Sequence, residues 1–194
     1  MNVSTVEIAT PDGVADAHLC RPDDGRHPGV VFIMDAYGLR PTVDEMAERI
    51  AADGTAYLDY LGDLAAPGPV AITGYCMGGR VGWRIAAAHP ERVAALAAFH
   101  PGGLVSEAPD SPHRSARELE AELYLGFADG DPSMTAEQIA ALERTLDDVG
   151  VRYRAEVYAG AQHGYTMADT PAFDDAARER HFRELRGLLE RTLG

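Results

Sequence analysis

A six-residue stretch, Gly74-Tyr75-Cys76-Met77-Gly78-Gly79, constrains this chain more than any other feature. It follows a short apolar run at 69–73 and precedes a helix-like run at 80–89. A strand that passes into a helix through so short a turn forces the central residue into a strained backbone conformation. Small neighbours are then needed for steric reasons. The pattern therefore predicts a strand, a helix and an exposed reactive side chain at the tip between them. That side chain is a cysteine. At a helix N-terminus it meets the positive end of the helix dipole, which favours the thiolate.

The 194 residues are enough for one domain, expected to span 1–194, with a substantial core. Apolar residues make up 46% and charged residues 25%, an ordinary globular balance. The net charge of −14 argues against nucleic acid or an anionic membrane as partner. All 17 basic residues are arginine, which together with the abundant alanine reads as the bias of a GC-rich genome. Residues 1–10 have neither a basic start nor a long apolar stretch, so no signal peptide is expected, and no segment approaches a membrane span. Two cysteines, Cys20 and Cys76, fit free thiols in a reducing cytoplasm.

Strand-like and helix-like patterns alternate along the chain. Residues 3–9 and 15–20 flank Pro11-Asp12-Gly13 and read as a hairpin. The β-branched run at 29–34 suits a buried parallel strand. Further strands are expected at 70–75, 93–99, 122–128 and 151–158, and helices at 42–52, 79–89, 135–149 and 172–193. Thr42 and Glu45 form a capping-box pattern, Thr135 caps its helix, and Gly150 stands where a C-terminal glycine belongs. Residues 55–64 fit a helix better than a strand, because Leu61 and Leu64 extend the face of Tyr57 and Leu58. Residues 101–115, rich in Pro, Gly, Ser and His, read as an ordered surface excursion. The alternation implies an α/β fold, a mostly parallel sheet with helices on both faces.

Sites in such sheets form beyond the carboxyl ends of the strands. Asp35-Ala36-Tyr37-Gly38, Cys76, His100 with Pro101, Asp129 with Asp131, and the loop holding His163 each follow one predicted strand. Cys76 as nucleophile, His163 as its ion-pair partner and proton donor, and Asp129 as the group that fixes the imidazole tautomer form a coherent set. The backbone N–H groups of Met77 and Ala36 are the expected oxyanion donors. Tyr37, Arg40, His100, Tyr165 and Met167 are candidates for substrate contact. No metal site is expected: His163 has no histidine or acid at i±4, and Cys76 has no Cys-x-x-Cys spacing. No cofactor is expected either, since the glycine loop lacks the Lys-Ser/Thr of a phosphate loop.

Each residue also has a plainer reading. A Gly-x-Cys-x-Gly-Gly turn can simply be close packing, and Cys20 reads as a core residue. Asp129 and Asp131 can be turn formers beside Gly130. His100 can cap a strand. His18, His27, His89, His113 and His181 read as surface residues, and Trp83 and Ile85 as helix packing. The joint order favours chemistry over these separate accounts.

The chain resembles the dienelactone hydrolase family of α/β-hydrolases. The segments that carry the likeness are Val31-Phe32-Ile33-Met34-Asp35-Ala36-Tyr37-Gly38, Gly74-Tyr75-Cys76-Met77-Gly78-Gly79, Gly126-Phe127-Ala128-Asp129 and Ala161-Gln162-His163-Gly164-Tyr165. The resemblance implies Cys76 as nucleophile, Asp129 as triad acid and His163 as base, with Asp35 as a carboxylate that gates the resting thiol where better-known members carry glutamate.

Two departures narrow this. Family members that open dienelactone hold its carboxylate with two arginines. Met167 stands at one of these positions, and the segment carrying the other has no counterpart, so the resemblance implies a different ester or lactone. Members also carry an extra strand–loop–helix unit before the nucleophile strand, and about forty residues are missing here around Gly54-Thr55. A true deletion, a replacement strand at 55–60 and an omitted segment all account for that. The expectation is thus a cytoplasmic ester or lactone hydrolase, monomer or homodimer, acting on a small molecule. The alternatives are a non-catalytic binding or assembly protein descended from a hydrolase, and a redox-sensing thiol.

Overall fold

The computed structural model describes residues 2–21, 26–34 and 64–194. The chain opens with an antiparallel hairpin, β1 (Asn2–Thr10) and β2 (Gly13–Arg21), in register from Asn2↔Arg21 to Thr10↔Gly13. Then come β3 (Val30–Ile33), β4 (Val70–Tyr75), α1 (Met77–Ala88), β5 (Val93–Phe99), β6 (Glu122–Ala128), α2 (Ala136–Val149), β7 (Tyr153–Tyr158) and α3 (Asp175–Leu193). Short 3₁₀ helices lie at Pro90–Arg92 and Pro112–Glu118.

Five strands form one parallel sheet in the order β3-β4-β5-β6-β7. All five carboxyl ends therefore share one edge, where the candidate residues lie. Among the described residues the hairpin forms its own sheet and pairs with none of the five, and β3 is an edge strand. The expected helix at 42–52, the 55–64 segment, the Gly54-Thr55 junction and residues Asp35, Ala36, Tyr37 and Arg40 lie outside the described residues.

Side-chain alternation on the central strands builds two cores. Ile72, Leu96, Ala98, Leu123, Leu125 and Phe127 point to one face, where Val81, Trp83 and Ile85 of α1 and Leu142 and Leu146 of α2 meet them. Ala71, Tyr75, Ala95, Ala97, Phe99, Tyr124 and Tyr158 point to the other, covered by Ala177 and Leu188 of α3. Trp83 is fully buried, as helix packing requires. Burying side chains of this size contributes about 1.5–3 kcal/mol each. Gly82 belongs to this packing: a Cβ there would lie 2.9 Å from both Ile72 Cγ2 and Leu96 Cδ1.

The helix ends follow local chemistry. Thr135 and Gln138 close a reciprocal capping box at the start of α2, and Gly150 ends it in the left-handed region at φ 74°. Asp174 caps α3 by accepting from the Ala177 N–H, so that helix begins three residues later than its sequence pattern suggests. Residues 101–115 are more than a surface excursion. Leu104 is fully buried, and the segment ends in a 3₁₀ turn whose Ser115 hydroxyl accepts from the Trp83 indole at 3.2 Å.

Candidate active site

Cys76 sits between β4 and α1 with φ 53° and ψ −118°, a conformation that costs a non-glycine residue of order 1–3 kcal/mol. Its surroundings hold it there. The Cys76 N–H donates to the Phe99 carbonyl at the end of β5, and its carbonyl accepts from the Gly79 N–H. The flanking glycines are steric necessities. A Cβ on Gly74 would enter the Gly78 carbonyl, one on Gly78 would enter the Ile33 carbonyl, and one on Gly79 would press on Pro101 and Ala98. Met77 is the first residue of α1, so no preceding turn of its own helix offers its N–H an acceptor.

His163 comes from the loop between β7 and α3, and it lies within hydrogen-bonding reach of the Cys76 sulfur. Its Nδ1–H donates to Oδ2 of Asp131 at 2.5 Å, which leaves Nε2 for the thiol. The Asp131 hydrogen bond first, and the one with Cys76 second, push the His163 pKa up to about 10. The ring is therefore inclined to be an imidazolium at neutral pH.

The carboxylate beside His163 is not the one the sequence pattern singles out. Asp129 is exposed and spends Oδ2 on the Gly160 N–H at 2.8 Å. Asp131 follows the Gly130 turn (φ 62°) and is buried, with 6% of its surface exposed. Its Oδ1 accepts from both the N–H and the hydroxyl of Ser133, at 2.8 and 2.7 Å. Burial opposes its ionisation, but the bonds from His163 and Ser133 outweigh that and hold its pKa below the ordinary carboxylate range. The reason for the displacement is the turn: β6 ends at Ala128, and only after the chain reverses at Gly130 does a carboxylate face His163.

Three other expectations are corrected. His100 and Tyr165 are fully buried and offer no surface to a ligand. His100 shares a hydrogen bond of 2.8 Å between Nε2 and Thr166 Oγ1. The Tyr165 hydroxyl donates to the Gly126 carbonyl, and its ring stacks on Tyr158 at 4.7 Å. His181 is no surface residue either: it is buried in α3, where Nδ1–H donates to the Arg178 carbonyl and Nε2 accepts from the Tyr75 hydroxyl at 2.8 Å. Met167 is half-buried against the α3-side core. The side chain of Cys20 lies outside the described part of the structure.

Sequence reasoning did not single out Ser133 or Thr166. Ser133 had a signal, since Asp131-Pro132-Ser133 is the pattern of an aspartate that binds its own backbone two residues on. Thr166 had none. Among the described residues no cluster of His, Cys, Asp and Glu suits a metal ion, and no helix is long and apolar enough to cross a membrane.

A parallel five-strand sheet covered by helices, with a strained strand-to-helix turn at Cys76 and a histidine presented from beyond a later strand, has the architecture of the α/β-hydrolase fold. Residues 55–193 match the model of the dienelactone hydrolase family, and the chain belongs to that family of ester- and lactone-type hydrolases. A Salmonella typhi relative named "Putative carboxymethylenebutenolidase" is 22% identical over 232 aligned positions, covering 88% of this chain and 85% of its own. Those positions outnumber the 194 residues here, so the relative carries residues for which this chain has no equivalent. The family match begins at Thr55, where the sequence places the shortfall. Among solved structures, a "Putative Dienelactone Hydrolase" from Klebsiella pneumoniae superposes with a TM-score of 0.85 at 15% identity, over 97% of this chain and 98% of its own. A dienelactone hydrolase-like promiscuous phosphotriesterase from metagenomic libraries gives 0.76 at 19% identity, over 99% of each.

Proposed function

We propose that this protein hydrolyses carboxylic esters or lactones through a Cys76–His163–Asp131 triad. The observation that carries the reading is the chain of contacts from Cys76 to His163 to Asp131, built on an elbow at φ 53°. Cys76 reacts as the thiolate, with His163 as imidazolium beside it. The thiolate attacks the substrate carbonyl carbon, and the carbonyl electron pair moves to oxygen. The Met77 N–H receives that charge together with the N–H of Ala36, each donor lowering the barrier by about 3 kcal/mol. When the oxyanion collapses, the carbon–oxygen bond breaks and the leaving alkoxide takes the His163 proton. A thioester and a neutral imidazole remain.

Neutral His163 then draws a proton from water, and the hydroxide formed attacks the thioester. The carbon–sulfur bond breaks, the acid departs and the thiolate–imidazolium pair is restored. Asp131 stays ionised throughout and stabilises the imidazolium. Asp35 as gate of the resting thiol remains part of this reading, on the strength of its place after β3. The contact of His163 with Cys76 favours catalysis over a purely binding role, which would not need it.

Met167, apolar and half-buried, stands where the resemblance would place an arginine. An uncharged acyl or alcohol portion fits this better than a carboxylate-bearing lactone. A free catalytic thiol fits a reducing, cytoplasmic setting, and one domain is proposed to act as a monomer or homodimer. The test is a panel of p-nitrophenyl esters, small lactones and a p-nitrophenyl phosphotriester, run on wild type beside Cys76→Ala. Loss of ester or lactone turnover in the variant supports the reading; unchanged turnover sinks it.

A further inference from the structure

His100 is an unusual residue to find at this place. It follows β5 in the left-handed region at φ 39°, a conformation rarely adopted by a non-glycine side chain. Its N–H is tied to the Gly126 carbonyl of β6 at 2.7 Å, so the backbone is anchored to the sheet. The ring is fully buried and packs edge-to-face on two rings of the catalytic loop, His163 and Tyr165, each with centroids 5.1 Å apart. Nε2 lies 2.8 Å from Oγ1 of Thr166, three residues beyond His163. Nδ1 is buried with no hydrogen-bond partner.

The protonation state follows. A buried N–H without an acceptor costs more than a bare lone pair, so Nε2 carries the proton and donates it to Thr166. Burial, reinforced by the neighbouring His163, pushes the His100 pKa down to about 3, so the ring stays neutral. Neutrality matters here. A second cation beside the His163 imidazolium would oppose the charge that the thiolate pair requires, and a neutral ring does not. Among the described residues the titratable groups facing His163 are Cys76, Asp131 and His100.

We infer that His100 and Thr166 form a clamp that positions His163: the ring supports the imidazole from the core side and the hydrogen bond pins the loop that carries it. Asp131 and the Cys76 thiol hold the two ring nitrogens only while the loop that carries His163 stays in place. The clamp fixes that loop to β5 and so keeps the ring between its two partners. His100 touches neither substrate nor the reacting atoms. The inference rests on the triad reading above.

Two measurements test it on the intact protein: ester kinetics and the pH dependence of Cys76 alkylation by iodoacetamide. His100→Phe keeps a neutral ring and deletes the bond to Thr166. Thr166→Val deletes the same bond from a half-exposed position, and Thr166→Ser restores the hydroxyl. The clamp predicts that His100→Phe and Thr166→Val each lower kcat about tenfold with KM within about twofold. It also predicts that their alkylation profiles move towards that of an ordinary thiol, while Thr166→Ser behaves as wild type. If His100→Phe does not fold, the Thr166 pair decides alone. Wild-type kcat and alkylation profile in Thr166→Val would overturn the clamp. A wild-type enzyme that alkylates like free cysteine, with ester turnover surviving Cys76→Ala, would instead overturn the triad reading itself.

Discussion

His163 Nδ1 donates to Asp131 at 2.5 Å, whereas Asp129, two residues earlier, turns its carboxylate to the Gly160 N–H. The two carboxylates should therefore respond very differently to the same substitution. Asp131→Asn should lower kcat by roughly 10²–10⁴-fold, because an amide at this position favours the wrong imidazole tautomer. Asp129→Ala should leave kcat within about twofold and cost about 1 kcal/mol through the lost hydrogen bond. Steady-state ester kinetics and urea unfolding of both variants check this; equal kcat losses would refute the assignment.

Removing the imidazolium should change the thiol. Asp131 and Cys76 together hold His163 protonated up to about pH 10. Wild-type Cys76 should therefore alkylate faster at neutral pH than the same thiol in His163→Gln, which lacks the imidazolium that steadies the thiolate. Iodoacetamide kinetics on the two proteins read it directly. Equal rates would show that His163 does not act on the thiol.

The glycines of the elbow region should separate packing from catalysis. Gly82→Ala puts a methyl 2.9 Å from Ile72 and Leu96. It should cost about 1–3 kcal/mol and lower Tm by roughly 3–10 °C, with kcat close to wild type. Gly78→Ala drives a methyl into the Ile33 carbonyl, a backbone obstacle that cannot rotate away. That variant should lose activity even where circular dichroism shows folded protein.

Two buried histidines set the acid limit. His100 and His181 have pKa values pushed down to about 3 and about 4, chiefly by burial. In the unfolded chain both titrate near about 6.5. Above that pH neither state is protonated and these groups contribute no slope. As pH falls below about 6.5 the unfolded chain takes up protons that the folded protein refuses. Stability should then drop by about 1.4 kcal/mol per pH unit for each group, until the folded pKa is reached. Urea unfolding at a series of pH values should show this limb, and His181→Gln should remove one proton's share of it. An unchanged slope in that variant would contradict the buried neutral His181.

Much of the fold and part of the site could be read from residues alone, and the gaps have physical causes. The elbow was legible because its glycines are steric requirements that leave a pattern in adjacent positions. Thr135 and Gly150 were legible because caps act locally. Which carboxylate faces His163 is not legible from strand periodicity, because the turn at Gly130 decides it. The Asp131-Pro132-Ser133 pattern carried that information. His181 was misread by residue type, although it lies four residues after Ala177 and seven before Leu188, on one helical face. His100 could not be read at all: its burial depends on Thr166, Tyr165 and His163, which the chain brings in more than sixty residues later.

The account turns on a thioester at Cys76. Mixing the enzyme with p-nitrophenyl acetate should release a burst of p-nitrophenol stoichiometric with active sites. Rapid acid quench and intact-mass analysis should then find one acetyl group, mapped by peptide digestion to Cys76 and absent from Cys76→Ala. Steady turnover of the ester with no acyl group on Cys76, or turnover that survives Cys76→Ala, would contradict it.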